Sequence, residues 1–96
     1  MVEIRRTATY ATWIDGLHDR RAAARIEARS NRMRLGNPGV VKPVGESVSE
    51  MRIDDGPGYR VYFVQRGTTL VILPCGGSKS SQERDIRTAK SLVKEV

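Results

Sequence analysis

Two arginines, Arg52 and Arg60, flank a turn-forming stretch in the sequence MRIDDGPGYRVYF, residues 51–63. If residues 54–58 connect two antiparallel strands, Arg52 lies opposite Arg60 and both guanidinium groups project from the same face of the hairpin. Like charges placed opposite each other cost up to about 1 kcal/mol. The pair therefore favours a bound phosphate between the two arginines, unless Glu50 or another acidic residue neutralises them.

A second feature that could bind an anion is the sequence GGSK, residues 76–79, which leads into the predicted last helix. Free backbone N–H groups and the helix dipole favour a phosphate there, although a plain turn after a strand has the same composition. Gln82 and Asp85 are three residues apart near the start of that helix, so they and Lys79 can converge on one spot. Two such features in one chain indicate a phosphodiester ligand.

The composition fits one small basic domain over residues 1–96. The 96 residues carry a net charge of +6, which favours a polyanion or an acidic protein as partner. One cysteine and one histidine exclude an internal disulfide and make a zinc site unexpected, so we expect no metal and no cofactor. The N-terminus lacks the apolar core of a signal peptide and no apolar run is long enough to cross a bilayer, so we expect a cytoplasmic protein without membrane contact.

Arginines are concentrated in residues 20–34, where the pattern predicts the second of two helices. Such a charge run is typical of a solvated helix face, and the alternative is an acidic or nucleic-acid partner. The first helix begins after Thr7 and the second after Asp19, and Gly36 ends the second. Together they predict an αα-hairpin after a short first strand over residues 2–6.

Alternating apolar residues predict strands in the second half of the chain. The period of two begins at Val44, and a bulge near Ser49 or a late strand start would explain why Val44 and Val48 lie on even numbers but Met51 and Ile53 on odd ones. The next two strands cover residues 59–65 and 68–75, and Lys42 lies in the loop before them. Five residues are predicted to share the core face of the arginine hairpin: Met51, Ile53, Tyr59, Val61 and Phe63. A capping box at residues 80–83 begins the closing helix.

The element order β-α-α-β-β-β-α predicts an α+β domain, an antiparallel sheet with an αα-hairpin and a C-terminal helix. We expect the helices to pack on one face of the sheet. The other face, which carries Arg52 and Arg60, is expected to stay open.

The chain resembles the RelE/ParE toxin superfamily over nearly its whole length, and is most similar to the HigB-like addiction module killer proteins. The resemblance is carried by WIDGLHDRRAAARI, RLGNPG, EMRIDDGPGYRVYF and ILPCGGSKSSQERDI. The family pattern GNxGxxKxVG matches residues 36–39 together with Lys42, Val44 and Gly45. The pattern GGxKxxQxxDIxxA matches residues of the GGSK segment and the last helix: Gly76, Gly77, Lys79, Gln82, Asp85, Ile86 and Ala89.

The resemblance implies the toxin of a type II toxin-antitoxin module that causes growth arrest. Many members of the family are metal-independent, ribosome-dependent endoribonucleases (mRNA interferases), in which the 2′-hydroxyl of the mRNA attacks the adjacent phosphate. The resemblance places Arg60 on the scissile phosphate and Lys79 at the position of a second catalytic cation. Asp85 is the first candidate to accept the 2′-hydroxyl proton and Tyr62 the second. The remaining substrate-binding candidates are Arg52, Lys42 and Gln82, with Tyr62 counted among them.

The implied partners are a cognate antitoxin of the helix-turn-helix type, the ribosome and mRNA, with operator DNA bound only through the antitoxin. Two other functions stay open from the sequence. One is a non-nucleolytic DNA gyrase inhibitor of the ParE type, whose activity would depend on the arginines of the αα-hairpin. The other is a protein-binding module without lethal activity, whose basic faces serve only an acidic antitoxin.

Overall fold

The computed structural model describes residues 2–54 and 56–96, and it has a mixed α+β fold with a six-stranded sheet and three helices. Asp55, part of the predicted hairpin connection, lies outside the described residues. The helices are α1 (Ala8–Asp15), α2 (Arg20–Arg34) and α3 (Gln82–Val93). The strands are β1 (Glu3–Arg6), β2 (Val41–Gly45), β3 (Val48–Ile53), β4 (Tyr59–Arg66), β5 (Leu70–Leu73) and β6 (Gly76–Ser78).

The strand order is β1-β5-β4-β3-β2, and β6 pairs with β4 beyond the end of β5. Strand β1 runs parallel to β5, with Glu3 opposite Leu70 and Arg6 opposite Leu73. The sheet is therefore mixed, and the prediction of a purely antiparallel sheet was wrong for its first strand. A parallel pairing of the first strand with a distant one leaves no local signal in the sequence.

Helices α1 and α2 pack on one face of the sheet, as the αα-hairpin pattern predicts. The Thr7 hydroxyl accepts a hydrogen bond from the Tyr10 N–H at 3.1 Å, and the Asp19 carboxylate accepts one from the Ala22 N–H at 3.0 Å, so each residue caps its helix and the predicted starts of both helices are confirmed. All five residues predicted for the core face of the arginine hairpin are buried in this first core, beside Tyr10 and Ile26.

Helix α3 packs on the opposite face of the sheet, where it contacts β4 and β6. Its Ala89 and Val93 form a second core with Val48, Tyr62 and other residues of the sheet. The prediction that all helices lie on one face and leave the other open was wrong, because the apolar stripe of α3 covers a second set of buried strand residues. Within the described part of the chain, no helix combines the length and apolar character that a membrane span requires.

Residues 41–53 form a tight hairpin rather than one bulged strand. Glu46 and Ser47 form the turn with φ angles of 52° and 68°, so two non-glycine residues adopt left-handed conformations between β2 and β3. A turn of this kind matches the right-handed twist of the two strands. The alternation of apolar residues shifts between Val44 and Met51. This shift comes from the turn and from an irregularity in the pairing between Pro43 and Gly45.

Candidate functional site

The α3 side of the sheet gathers most of the predicted site residues in two cross-strand rows. In the first row Lys42 on β2 is paired with Glu50 on β3, which is paired with Tyr62 on β4. In the second row Arg52 is paired with Arg60, and Arg60 with Gly77 on β6. The predicted register of the arginine hairpin is therefore confirmed. We call Lys42, Glu50, Arg52, Arg60, Lys79 and Gln82 the cationic face.

Arg60 is not a free guanidinium group. Its side chain is only 6% exposed and its Nε donates to Glu50 Oε1 at 2.6 Å, while its Nη1 donates to the Gly58 carbonyl at 3.0 Å. The prediction that Arg60 projects from an open face was wrong, and its role at a phosphate stays a prediction. Helix α3 covers that face, and the alternative interpretation applies to Arg60, because the single negative charge of Glu50 offsets one of the two arginines.

Glu50 is the centre of the cationic face, and sequence reasoning gave it only a neutralising role. Its side chain is 1% exposed, and Gln82 Nε2 donates to its Oε2 at 3.1 Å. Arg52 Nε lies 3.7 Å from its Oε1, and the Arg52 side chain is 53% exposed. The spacing in the sequence indicated that Glu50 lies near Arg52, because residues 50 and 52 of one strand project from the same face.

Lys79 lies beside Arg60, as predicted. It follows β6 directly, where Ser78 is paired with Tyr59. A Cβ added to Gly58 would lie 3.7 Å from Arg60 Nη1 and 3.9 Å from Lys79 Cβ, so both side chains border the same glycine. Lys79 is exposed, as are Arg52 and Lys42.

Tyr62 is placed too deep to contact a substrate. Its side chain is fully buried under α3, and its hydroxyl has no hydrogen-bond partner among the described residues. Burial, with Glu50 and Asp85 nearby, raises the pKa of Tyr62 above its ordinary value, so the phenol stays protonated at neutral pH. The structure buries Tyr62, so it does not present the phenol to a substrate; its roles as proton acceptor and substrate contact stay predictions.

Asp85 serves the packing of α3 against the sheet. It is 8% exposed and its Oδ2 accepts a hydrogen bond from the Ser81 hydroxyl at 2.5 Å. A Cβ on Gly77 would lie 1.9 Å from the same oxygen, so the carboxylate is in close contact with β6. The carboxylate points toward Gly77, and its convergence with Lys79 and Gln82 on a substrate stays a prediction.

The GGSK segment is not a phosphate-binding loop. Gly76 and Gly77 belong to β6, and a Cβ on Gly76 would lie 2.3 Å from the Trp13 ring. The two glycines are therefore explained by close packing against α1 and α3. Among the described residues no side chain caps α3, and the Ser80 hydroxyl instead contacts that of Ser78 at 2.8 Å, so the predicted capping box does not form there.

Cys75 is buried behind α3 and is not a nucleophile in this arrangement. Its thiol donates to the Asp85 carbonyl at 3.4 Å, and burial raises its pKa to about 12. A thiol in that state holds its proton at neutral pH.

Comparison with known proteins finds a relative in Haemophilus influenzae (strain ATCC 51907 / DSM 11121 / KW20 / Rd), described as an uncharacterized protein. The two sequences are 45% identical over 95 residues, which cover 99% of this chain and 96% of the relative. No protein-family model and no solved structure matches the chain.

Proposed function

The chain belongs to one family with this Haemophilus influenzae protein, and we propose that it is the toxin of a type II toxin-antitoxin module that cleaves ribosome-bound mRNA. In this proposal its α+β fold is the RelE/ParE-like fold that the sequence motifs imply. The partners are a cognate antitoxin, the ribosome and mRNA. The resemblance of the motifs supports the family, and the cationic face supports the nucleic-acid substrate.

One observation carries the proposal: the exposed Arg52 and Lys79 border the buried pair formed by Glu50 and Arg60. The single carboxylate of Glu50 faces the two guanidinium groups, so the cluster keeps an excess of positive charge. Lys42 adds a further exposed cation on the neighbouring strand. Such a surface fits the phosphodiester backbone of a single-stranded nucleic acid.

The side chains have separate roles in the proposed reaction. The 2′-oxygen bonds to phosphorus and its proton passes to solvent water, while the bond to the 5′-oxygen breaks and that oxygen takes a proton from solvent, which leaves a 2′,3′-cyclic phosphate and a 5′-hydroxyl. Arg52 and Lys79 contact the phosphate and stabilise the charge that develops on its oxygens. Arg60 lies beneath them in a neutral ion pair with Glu50, which fixes its position. Gln82 connects the start of α3 to Glu50 and so keeps the edge of the site in place.

The test is inducible expression of the chain in bacteria, followed by mapping of mRNA 5′ ends. Codon-phased new ends are expected with the native sequence. Removing one well-placed donor costs about 3–4 kcal/mol of transition-state stabilisation, so Lys79→Ala and Arg52→Ala should reduce cleavage by about a hundredfold or more. Arg5→Ala, which removes an exposed charge on the edge strand β1, is the matched control and should leave cleavage unchanged.

Full growth arrest by a folded Lys79→Ala variant would overturn the proposed site. A second candidate function, inhibition of DNA gyrase, is favoured by the contrast between the buried Arg60 and the exposed arginines of α2. In that case DNA breaks would accumulate without new mRNA ends. Charge reversal on α2, and not at Lys79, would then abolish growth arrest.

A further inference from the structure

Helix α3 covers only part of the sheet face on which it packs. It contacts β4 and β6, and a helix about 10 Å across spans about two strands that lie about 4.8 Å apart. Strands β5 and β1 extend the same face to the edge of the sheet. A pocket of about 390 Å³ lies there beside the end of α3, and we call it the β5 pocket. Its lining includes Ala8, Arg66, Leu70, Ile72, Leu92 and Val96.

Apolar side chains form the floor and one wall of the β5 pocket. Ile72 of β5 belongs to the second core and Leu70 packs against it, so both project on the same side of the sheet as α3. Leu92 lies in the last turn of α3, and Val96 follows the helix. A pocket of this volume with apolar walls and a few polar groups falls within the range of about 300–1,000 Å³ that small-molecule sites occupy.

Strand pairing brings charged side chains to the rim of the β5 pocket. Arg66 on β4 is paired with Leu70, and Leu70 is paired with Glu3 on β1. Arg5, which is paired with Ile72, lies on the same face as Glu3, and the two form an exposed ion pair at 2.8 Å. Glu3 therefore offsets the charge of Arg5, and Arg66 is the cation that a ligand can use.

The end of α3 holds Arg66 at the edge of the β5 pocket. Its Nη2 donates to the Val93 carbonyl at 2.6 Å, and its Nη1 donates to a main-chain oxygen of Val96 at 2.5 Å. Among the described residues no side-chain carboxylate forms an ion pair with Arg66, whereas Arg6 is paired with Glu27. A guanidinium group has five N–H donors, so Arg66 keeps donors for a ligand in a fixed position.

We propose that the β5 pocket binds a small aliphatic carboxylate. The alkyl chain lies on Leu70, Ile72 and Leu92, and the carboxylate accepts charge-assisted hydrogen bonds from Arg66. Glu95 also lines the pocket, but it is exposed, so water and salt screen its repulsion of the ligand. The β5 pocket shares no residue with the cationic face, and the proposal holds whether or not the chain cleaves RNA.

An aliphatic carboxylate fits the β5 pocket better than a nucleotide or an uncharged apolar compound does. Bases bind single sites by stacking on aromatic rings, and none of the described residues that line this pocket is aromatic. An uncharged apolar compound would cover Arg66 and leave its remaining donors without a partner, which costs free energy.

The test titrates the ¹⁵N-labelled chain with hexanoate, hexylammonium and acetate, and follows backbone amide shifts by NMR spectroscopy. Hexanoate should shift the amides of residues 70–72 and 92–96 in one saturable step. Hexylammonium has the same chain with the opposite charge, and acetate has the charge without the chain. Each should bind at least about tenfold more weakly than hexanoate, because each lacks one of the two contacts.

Two residues of the lining give variants with matched controls. Arg66→Gln removes the charged donor and should weaken hexanoate binding by about tenfold. Arg21→Gln, the same change at an exposed position of α2, should alter binding less than about twofold. Ala8→Leu enlarges an exposed side chain of the lining and should block the alkyl chain, whereas Ala28→Leu on α2 should leave binding unchanged.

Glu95→Gln should strengthen hexanoate binding, because it removes a carboxylate that repels the ligand, and weaker binding in this variant would overturn the proposal. Equal affinities for hexanoate and hexylammonium would also overturn it, as would unchanged hexanoate binding in Ala8→Leu. Circular dichroism of each variant excludes unfolding as the cause of a loss. Ala8→Leu keeps Arg66 and its contacts with the end of α3, so it tests the pocket independently of that arginine.

Discussion

Glu50 shows how one buried carboxylate can organise several cations. It accepts hydrogen bonds from Arg60 and Gln82 and lies close to Arg52, so residues of β3, β4 and α3 meet at a single group. A buried ion pair of this kind contributes little net stability compared with apolar packing, but the loss of one partner leaves a buried charge without compensation. The residue therefore positions the site more than it stabilises the fold.

Replacement of Glu50 by Gln should lower the free energy of unfolding by about 3–5 kcal/mol, because Arg60 would keep its charge in a buried position. Urea unfolding followed by circular dichroism measures the change. The double variant Glu50→Leu, Arg60→Met removes both charges and should be less destabilised than Glu50→Gln. Glu95→Gln, an exposed change, should be neutral, and a Glu50→Gln variant as stable as Glu95→Gln would contradict the assigned pair.

The buried Tyr10 phenol and Cys75 thiol make the free energy of unfolding decrease at alkaline pH. Burial raises the pKa of Tyr10 from 10.0 to about 12 and that of Cys75 from 9.0 to about 12. The unfolded chain therefore loses these protons at lower pH than the folded chain, so the stabilisation is complete below about pH 9 and is lost toward about pH 12. Tyr10→Phe should flatten the decline of the urea midpoint between pH 9 and 12. An unchanged slope in this variant would contradict the shift.

At the scale of elements, the turn between β2 and β3 is under conformational strain. Glu46 and Ser47 adopt φ angles of 52° and 68°, a region that costs non-glycine residues about 1–2 kcal/mol. The hairpin tolerates this cost because the turn sets the register that brings Lys42 opposite Glu50.

Ser47→Gly should raise the free energy of unfolding by about 0.5–1 kcal/mol, because glycine removes the strain. Part of that gain is offset by the larger conformational entropy that glycine loses on folding. Thermal and urea unfolding measure the effect. Ser91→Gly, an exposed change within α3, should lower stability by a similar amount. Equal destabilisation by both substitutions would show that the turn is not strained.

The elements differ in how far the sequence determines them. Local sequence signals were sufficient to predict the helix starts at Thr7 and Asp19 and the register of the arginine hairpin. Caps and register depend on residues that are close in the sequence. The side of the sheet that α3 covers depends on long-range packing, and the burial of Arg60 follows from it. Prediction of the site therefore succeeded for which residues meet and failed for which of them are exposed.

At the scale of the molecule, the cationic face and the β5 pocket lie at opposite ends of α3. The cationic face depends on β3, β4, β6 and the start of α3, whereas the β5 pocket depends on β1, β5, Arg66 and the end of α3. The variants at Lys79 and Ala8 should therefore separate the two activities, with growth arrest lost in the first and hexanoate binding lost in the second.

The parallel pairing of β1 with β5 also sets an order for folding during synthesis. Residues 3–6 leave the ribosome early, yet their partner strand is complete only at Leu73, so this long loop closes late. Gln82 is translated later still. A truncated chain that ends before residue 82 would thus lack the helix that encloses Glu50 and Arg60, and prematurely terminated products should be inert.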